Sequence, residues 1–266
     1  MRRFFLVAGE PSGDLLGAAL MRGFKCELGG AVTFEGVGGP AMAAEGLASI
    51  VPQDDLAVMG LVEVLPKLPR LLGHIAHVRE ACLTSLPDAL ITIDSPSFGL
   101  RVMRGVRQAA PTIPTIHYVA PSVWAWRPGR ARRMAGLVDH LLALLPFEPP
   151  YFTVHGITSD FVGHPAAQTE RADASMLADA RARLGLGVAQ PVLLVLPGSR
   201  MGEIQRHMAP FGAVVGSVAG RHPDLAVLVP TLPGIAGAVT EAARQWPVTP
   251  RILDPRDEVV RMVPRS

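Results

Sequence analysis

The sequence predicts an α/β protein with two parallel-sheet domains, the second of them apparently truncated. Three observations predict it. Short, uncharged apolar runs alternate with stretches of helical periodicity along the 266-residue chain. The 27 glycines and 25 prolines, in a chain 49% hydrophobic and 18% charged, supply tight turns between short elements and not the composition of a disordered chain. A fresh strand-and-helix series begins at residue 192, after a polar stretch, which predicts a domain at 1–168 and a second at 169–266.

The strands are expected in order at FFLVA (4–8), TFEGV (33–37), ALITI (89–93), TIHYVA (115–120) and HLLALL (140–145). Each is too short for a helix and nearly free of charge, as a strand covered by helices on both faces must be. Residues 172–184, rich in Ala, Asp and Arg, read as a polar helix. VLLVLP (192–197), LAVLVP (225–230) and RIL (251–253) then form a second series, and the run from Asp254 reads as the start of another helix. Three strands fall short of an ordinary sheet, so the second domain is expected to be incomplete. LVEVLPKLPRLLGHIAHVR (61–79) is a basic amphipathic helix with Leu65, Leu68, Leu72 and Ile75 on one stripe. Pro66 and Pro69 fit only near a first turn, which predicts that this helix starts around them. Its stripe suits a sheet face, and the additional apolar positions Val64 and Leu71 widen it toward what a membrane surface would accept.

Composition removes several function classes. A net charge of +2 makes no overall electrostatic case for nucleic acid. Cys26 and Cys82, the two cysteines, give neither a disulfide framework nor a metal spacing, and they fit a reducing compartment. The eight histidines are scattered, so no metal site is expected. Met1-Arg2-Arg3 with its apolar run is too short for a signal peptide, and residues 225–240, broken by Pro230 and Pro233, fall short of the ~20 apolar residues of a spanning helix.

The candidate sites lie at strand ends, where open α/β sheets bind ligands. AGEPSGDLLGA (8–18) places Gly9, Ser12 and Gly13 in a turn, with Asp14 available to cap the helix that follows. GVGGPAM (36–42) is a second glycine-rich loop, containing Gly38. Neither is a Gly-x-Gly-x-x-Gly fingerprint, and the glycines are equally readable as turn formers. Asp94 follows a buried strand, where a carboxylate serves either as a general base or as a cap. HYVAPSVWAWRPGRARR (117–133) holds Trp124 and Trp126, two of the three tryptophans, beside four arginines. They could line a sugar or acyl pocket with the arginines toward phosphate or anionic lipid, or form a packed loop and a solvated basic helix. In VLLVLPGSRMGEIQR (192–206), the strand, the turn Gly198-Ser199-Arg200 and a helix with Glu203 in its first turn form an anion-site layout, because backbone N–H groups and an arginine fork point at one place.

Together with VMGLVEVL, IDSPSFGLRV, LLPFEPPYF and FVGHP, these motifs resemble, in order and over essentially the whole chain, the lipid-A-disaccharide synthase family. The resemblance implies two Rossmann-like domains of the glycosyltransferase B type, working without metal or cofactor and with inversion. It implies a cytoplasmic protein, peripheral on the inner membrane of Gram-negative bacteria. The partners it implies are UDP-2,3-diacylglucosamine as donor, 2,3-diacylglucosamine 1-phosphate (lipid X) as acceptor, the membrane surface and, as a further partner, a second copy of the chain. On this reading Asp94 is the base and Arg200 serves catalysis. Gly198, Ser199, Arg200 and Glu203 face the donor phosphates. Gly9, Ser12, Gly13, Gly38, Trp124 and Trp126 meet the acceptor, and Val64, Leu65, Leu68, Leu71 and Leu72 face the membrane. Family members run on well past the position of Ser266, so a fragment without activity, binding lipid only, is an alternative. A UDP-sugar 2-epimerase-like enzyme is another, although it gives no reason for the amphipathic helix.

Overall fold

In the computed structural model, residues 1–56, 61–168, 172–232 and 234–254 are described, without the side chains of 54, 61–67, 166 and 168. The chain forms two compact units, Met1–Ala167 and Gln168–Ser266.

The first unit runs β1 (Arg2–Ala8), α1 (Pro11–Glu27), β2 (Val32–Val37), α2 (Pro40–Ala44), α3 (Leu61–Ser85), β3 (Ala89–Ile93), α4 (Pro96–Ala109), β4 (Thr115–Tyr118), α5 (Gly129–Met134), β5 (His140–Ala143), α6 (Pro150–Thr153) and β6 (Thr158–Phe161). Its six strands are all parallel, in the order β2-β1-β3-β4-β5-β6. Alternating side chains feed two cores. Phe5, Val7 and Leu90 pack with Val78 and Cys82 of α3 and with Val102 and Val106 of α4. Leu6, Ala8, Ile91 and Ile93 pack with Leu16 and Met21 of α1 and Met42 of α2. This two-sided burial explains why the strands read as continuous apolar runs. The chain order reverses between β1 and β3, and the loops leaving those two strands flank the switch point where such sheets bind ligands.

Three sequence expectations change here. The strand β6 is missed by hydropathy because TSDF is polar and its side chains lie exposed or half-buried on the sheet edge. TIHYVA and HLLALL keep strand pairing only to Tyr118 and Ala143. The third concerns α3, which begins at Leu61 and not at the prolines, so Pro66 and Pro69 lie within it and each withholds an N–H from the ladder. The inward stripe of α3 also differs from the expected one. Leu71, Ile75, Val78 and Cys82 face the core, Leu71 as a supporting member, whereas Leu72 is 51% exposed. The spacing of four, three and four residues in 71/75/78/82 fits a helix as well as 65/68/72/75 does, so periodicity could not choose between them. Val64 and Leu65 have side chains outside the described residues.

The second unit contains α7 (Ala174–Arg183), β7 (Val192–Leu194), α8 (Met201–Ala219), β8 (Ala226–Pro230), α9 (Ala236–Ala243) and β9 (Arg251–Leu253). Its parallel sheet has the order β7-β8-β9. Ile204, Met208 and Val215 of α8 and Val239 of α9 cover Val227 and Val229, while Leu228 and Leu253 on the other face meet Leu184 and Leu186. VLLVLP is a strand only over its first half. The helix expected from Asp254 onward lies outside the described residues apart from Asp254 itself.

Candidate active site

At the switch point of the first unit, the turn after β1 and the turn after β3 touch. Ser12, in the first turn of α1, donates from Oγ to Asp94 Oδ2 at 2.8 Å. The approach is close: a Cβ on Gly13 would lie 3.1 Å from the Ile93 carbonyl oxygen, and one on Gly9 3.0 Å from Ser95 Oγ, so a side chain at either position would press on the turn after β3. Asp94 and Ser95 both take left-handed backbone angles, φ 51° and 38°. Pro96 at the start of α4 disfavours the right-handed helical region for Ser95, which is one local cause. Val119 (φ 82°) and Arg127 (φ 55°) add two more such residues in the loop leaving β4. Strain of this kind, roughly 1–3 kcal/mol per residue, persists where surrounding contacts impose it, and it clusters at functional sites. The other oxygen of Asp94, Oδ1, has no hydrogen-bond partner among the described residues.

His117 of β4 lies behind this carboxylate, fully buried, with Nδ1 2.7 Å from Thr92 Oγ1. Burial pulls its pKa down to about 4, opposed by the negative charge of Asp94, so the ring is neutral at ordinary pH. Its Nε2 has no hydrogen-bond partner among the described residues.

Trp124 and Trp126 are 45% and 56% exposed in the loop after β4. The indole Nε1–H of Trp124 donates to Glu148 Oε1 at 3.4 Å, and its ring meets Phe147 edge-on at 5.2 Å. Glu148 is only 3% exposed, and its Oε2 accepts the Leu145 N–H at 3.0 Å, so one carboxylate ties the β4 and β5 loops together. Sequence reasoning missed Glu148, although a lone acid in the apolar and proline-rich run LLPFEPPYF was a signal. Arg127 lies over the Trp126 ring at 4.3 Å, with Arg130 at 5.8 Å.

Two glycine-loop expectations acquire a structural reading. Asp14 caps α2, not its own helix: Oδ1 accepts from the N–H groups of Gly39 and Met42, and Oδ2 from Ala41, at 2.8–2.9 Å. Gly38 is buried against Met42, and its N–H bonds Ser49 Oγ at 3.1 Å, so it offers a ligand no free donor.

In the second unit the turn after β7 is closed by Glu203. Its Oε2 accepts the Ser199 N–H at 2.8 Å, and its Oε1 lies 3.2 Å from Arg200 Nη1. The Ser199 N–H and then the Arg200 guanidinium hold this carboxyl below the usual range, so it is ionised. Gly198, at φ 127°, leaves room for it, since a Cβ would stand 2.5 Å from Glu203 Oε2. Folded back onto Ser199 and Arg200, an ionised Glu203 organises the turn and brings to it a negative charge that is unfavourable for phosphate. Among the described residues no group of three or more His, Cys, Asp or Glu is placed to hold a metal.

The motifs at these strand ends are matched by a sequence profile. Residues 4–243 match the family described as Lipid-A-disaccharide synthetase. The chain belongs to this family. Lipid-A-disaccharide synthase of Ruegeria pomeroyi is 53% identical over 256 residues, which are 96% of this chain and 63% of that protein. The enzyme of Rhodospirillum centenum is 52% identical over 244 residues, 92% of this chain and 61% of the relative. The chain thus spans somewhat over three-fifths of these relatives' length. Among solved structures, UDP-GlcNAc 2-epimerase from Neisseria meningitidis bound to UDP-GlcNAc aligns with a TM-score of 0.67 at 10% identity, covering 98% of this chain and 74% of that one. The 2-epimerase from Rickettsia bellii aligns at 0.61 and 13% identity, covering 95% and 68%. At such identity the similarity shows the fold alone, the glycosyltransferase B type architecture that this synthetase family member shares with the epimerases.

Proposed function

We propose that the protein to which this chain corresponds joins UDP-2,3-diacylglucosamine to 2,3-diacylglucosamine 1-phosphate, giving a β-1,6-linked disaccharide 1-phosphate and UDP. The observation that carries the reading is the Ser12–Asp94 pair at the switch point of a family member's first sheet. Ser12 holds one oxygen of Asp94, and the other accepts the proton of the acceptor's 6-hydroxyl as that oxygen attacks the anomeric carbon of the donor. The new C–O bond forms as the bond to the UDP oxygen breaks, on opposite faces of the carbon, which inverts it. Charge growing on the departing phosphate is met by Arg200 and by the N–H groups of its turn other than that of Ser199, which Glu203 takes. In this scheme Met1–Ala167 receives the acceptor and Gln168–Ser266 the nucleotide, with Trp124 and Trp126 against the acceptor sugar or its chains.

Both substrates carry acyl chains, so the protein works at the membrane surface without crossing it. Among the described residues no helix is long and apolar enough to span a bilayer. Leu72, exposed on α3, fits a surface contact, whereas Leu71 is taken by the core.

Asp94→Asn tests the base in the full-length gene product. Asn tolerates the left-handed backbone at this position and preserves the shape, so the fold should stand while transfer falls by ~10²–10⁴. Arg200→Ala should weaken UDP binding without changing acceptor binding. Turnover unchanged in Asp94→Asn, with folding intact by circular dichroism, overturns the assignment.

A further inference from the structure

Most other arginines of the first unit are ion-paired, Arg101 and Arg104 of α4 excepted among the described residues. Arg2 meets Asp88, Arg22 meets Glu45, Arg70 meets Asp55 and Arg107 meets Asp139. Arg127, Arg130, Arg132 and Arg133 differ: among the described residues, none has a carboxylate within ion-pair distance. The cluster is nevertheless built. Ala131 and Met134 of α5 are buried at 1% and 0% exposure, which fixes the helix that carries Arg130 and Arg133. Arg127 and Arg130 share the Trp126 ring at 4.3 and 5.8 Å, so the indole restrains both guanidinium groups. Arg127 is also held in the left-handed backbone region, an unfavourable place for a long side chain.

Electrostatics gives the cluster a direction. Arg130 is half-buried, and its pKa is lowered first by that burial and then by the charges of Arg127 and Arg133. Arg127 and Arg130, held against one ring, repel each other, Arg133 adds its charge from the same short helix, and a partner carrying two negative charges relieves that repulsion. Phosphate matches the forked donors of arginine, and a phosphomonoester carries up to two charges at neutral pH. The loop leaves β4 on the edge of the sheet where Asp94 lies, and the Asp94 N–H itself donates to the Tyr118 carbonyl at 2.9 Å.

We propose that Arg127 and Arg130, which share the Trp126 ring, form with Arg133 of the same short helix a binding site for a phosphomonoester, and that its occupant is the 1-phosphate of the acceptor sugar. The second half rests on the reaction proposed above. The first half does not. A lipid headgroup phosphate is the other source of the same chemistry, and the test separates the two.

The 266-residue chain is labelled with 5-fluorotryptophan, which gives one fluorine signal for each of Trp124, Trp126 and Trp246. Trp126→Phe assigns the signal of interest. Glucosamine 1-phosphate, without acyl chains, is titrated beside glucosamine, and vesicles containing phosphatidic acid, a lipid phosphomonoester, beside phosphatidylcholine vesicles. The expected result is a saturable shift of the Trp126 signal by glucosamine 1-phosphate alone. In Arg127→Gln/Arg130→Gln the apparent affinity should weaken at least tenfold, and in the Lys/Lys variant it should weaken less. Arg127 is exposed and Arg130 half-buried, and circular dichroism checks that the variants fold. Equal response to the two sugars, or a Gln/Gln variant that titrates as wild type, overturns the phosphomonoester site. A response to phosphatidic acid vesicles alone overturns the acceptor assignment and identifies a headgroup contact. UDP binding measured on the same samples keeps the outcomes apart: its survival in the Gln/Gln variant leaves the donor side of the proposed reaction standing whatever the arginines bind.

Discussion

Replacing Asp14 should loosen the first unit by an amount that its hydrogen bonds allow one to work out. Asp14 is 4% exposed and serves Gly39 and Met42 through one oxygen and Ala41 through the other. Asp14→Ala orphans all three donors. The Met42 N–H is in a buried residue and loses its partner outright, while Gly39 and Ala41 are half-buried and can recover some hydration. With ~1–3 kcal/mol for a buried unsatisfied donor and less for the others, the variant should lose about 2–5 kcal/mol. Asp14→Asn is the finer probe. Its remaining carbonyl oxygen can serve Gly39 and Met42, but its amide nitrogen then faces the Ala41 N–H, donor against donor, so the loss should be about 1–2 kcal/mol. Urea unfolding followed by far-ultraviolet circular dichroism gives the magnitudes. Amide exchange locates the damage, with Gly39, Ala41 and Met42 exchanging faster while the strands of the sheet change less. If Asp14→Asn unfolds at the wild-type midpoint, or Asp14→Ala loses under about 0.5 kcal/mol, the carboxylate is not what holds α2 at the sheet edge.

Two further perturbations address each unit separately. His117 has its pKa lowered from 6.5 to about 4 by burial, so between those values the unfolded chain binds more protons than the folded one; stability should be full above pH 6.5 and fall by about 3 kcal/mol as pH drops to 4. His117→Gln should flatten that part of the pH–stability curve, and an unchanged slope would assign it to other groups. In the second unit, a Cβ on Gly212 would stand 2.5 Å from Trp246 Cδ1, and this indole is fixed by its bond to the Met208 carbonyl at 2.9 Å. Gly212→Ala should therefore cost about 1–3 kcal/mol in thermal unfolding followed by Trp246 emission, and no loss would mean that α8 and the Trp246 turn can separate freely.

The sequence by itself determined the α/β class, the order of most elements and the family. Strands buried on both faces must be short and apolar, and FFLVA and ALITI state that without help from the rest of the chain. The motifs at strand ends are likewise local, which is why Ser12, Asp94 and Arg200 could be singled out by chemistry and spacing. Tertiary structure decided what depends on partners distant in the chain. Whether α3 turns Leu71 or Leu72 inward is set by the core it meets, since both registers obey helical spacing. That Asp14 caps a helix 25 residues away, and that Glu148 reaches Trp124 across two loops, are matters of sheet order, because neighbouring strands bring together turns that the sequence separates. The polar edge strand β6 was invisible to hydropathy because an edge strand need not bury both faces. Glu203 shows the same division: its place in the first turn of α8 was legible, but its role depended on where its carboxylate folds back, onto Ser199 and Arg200.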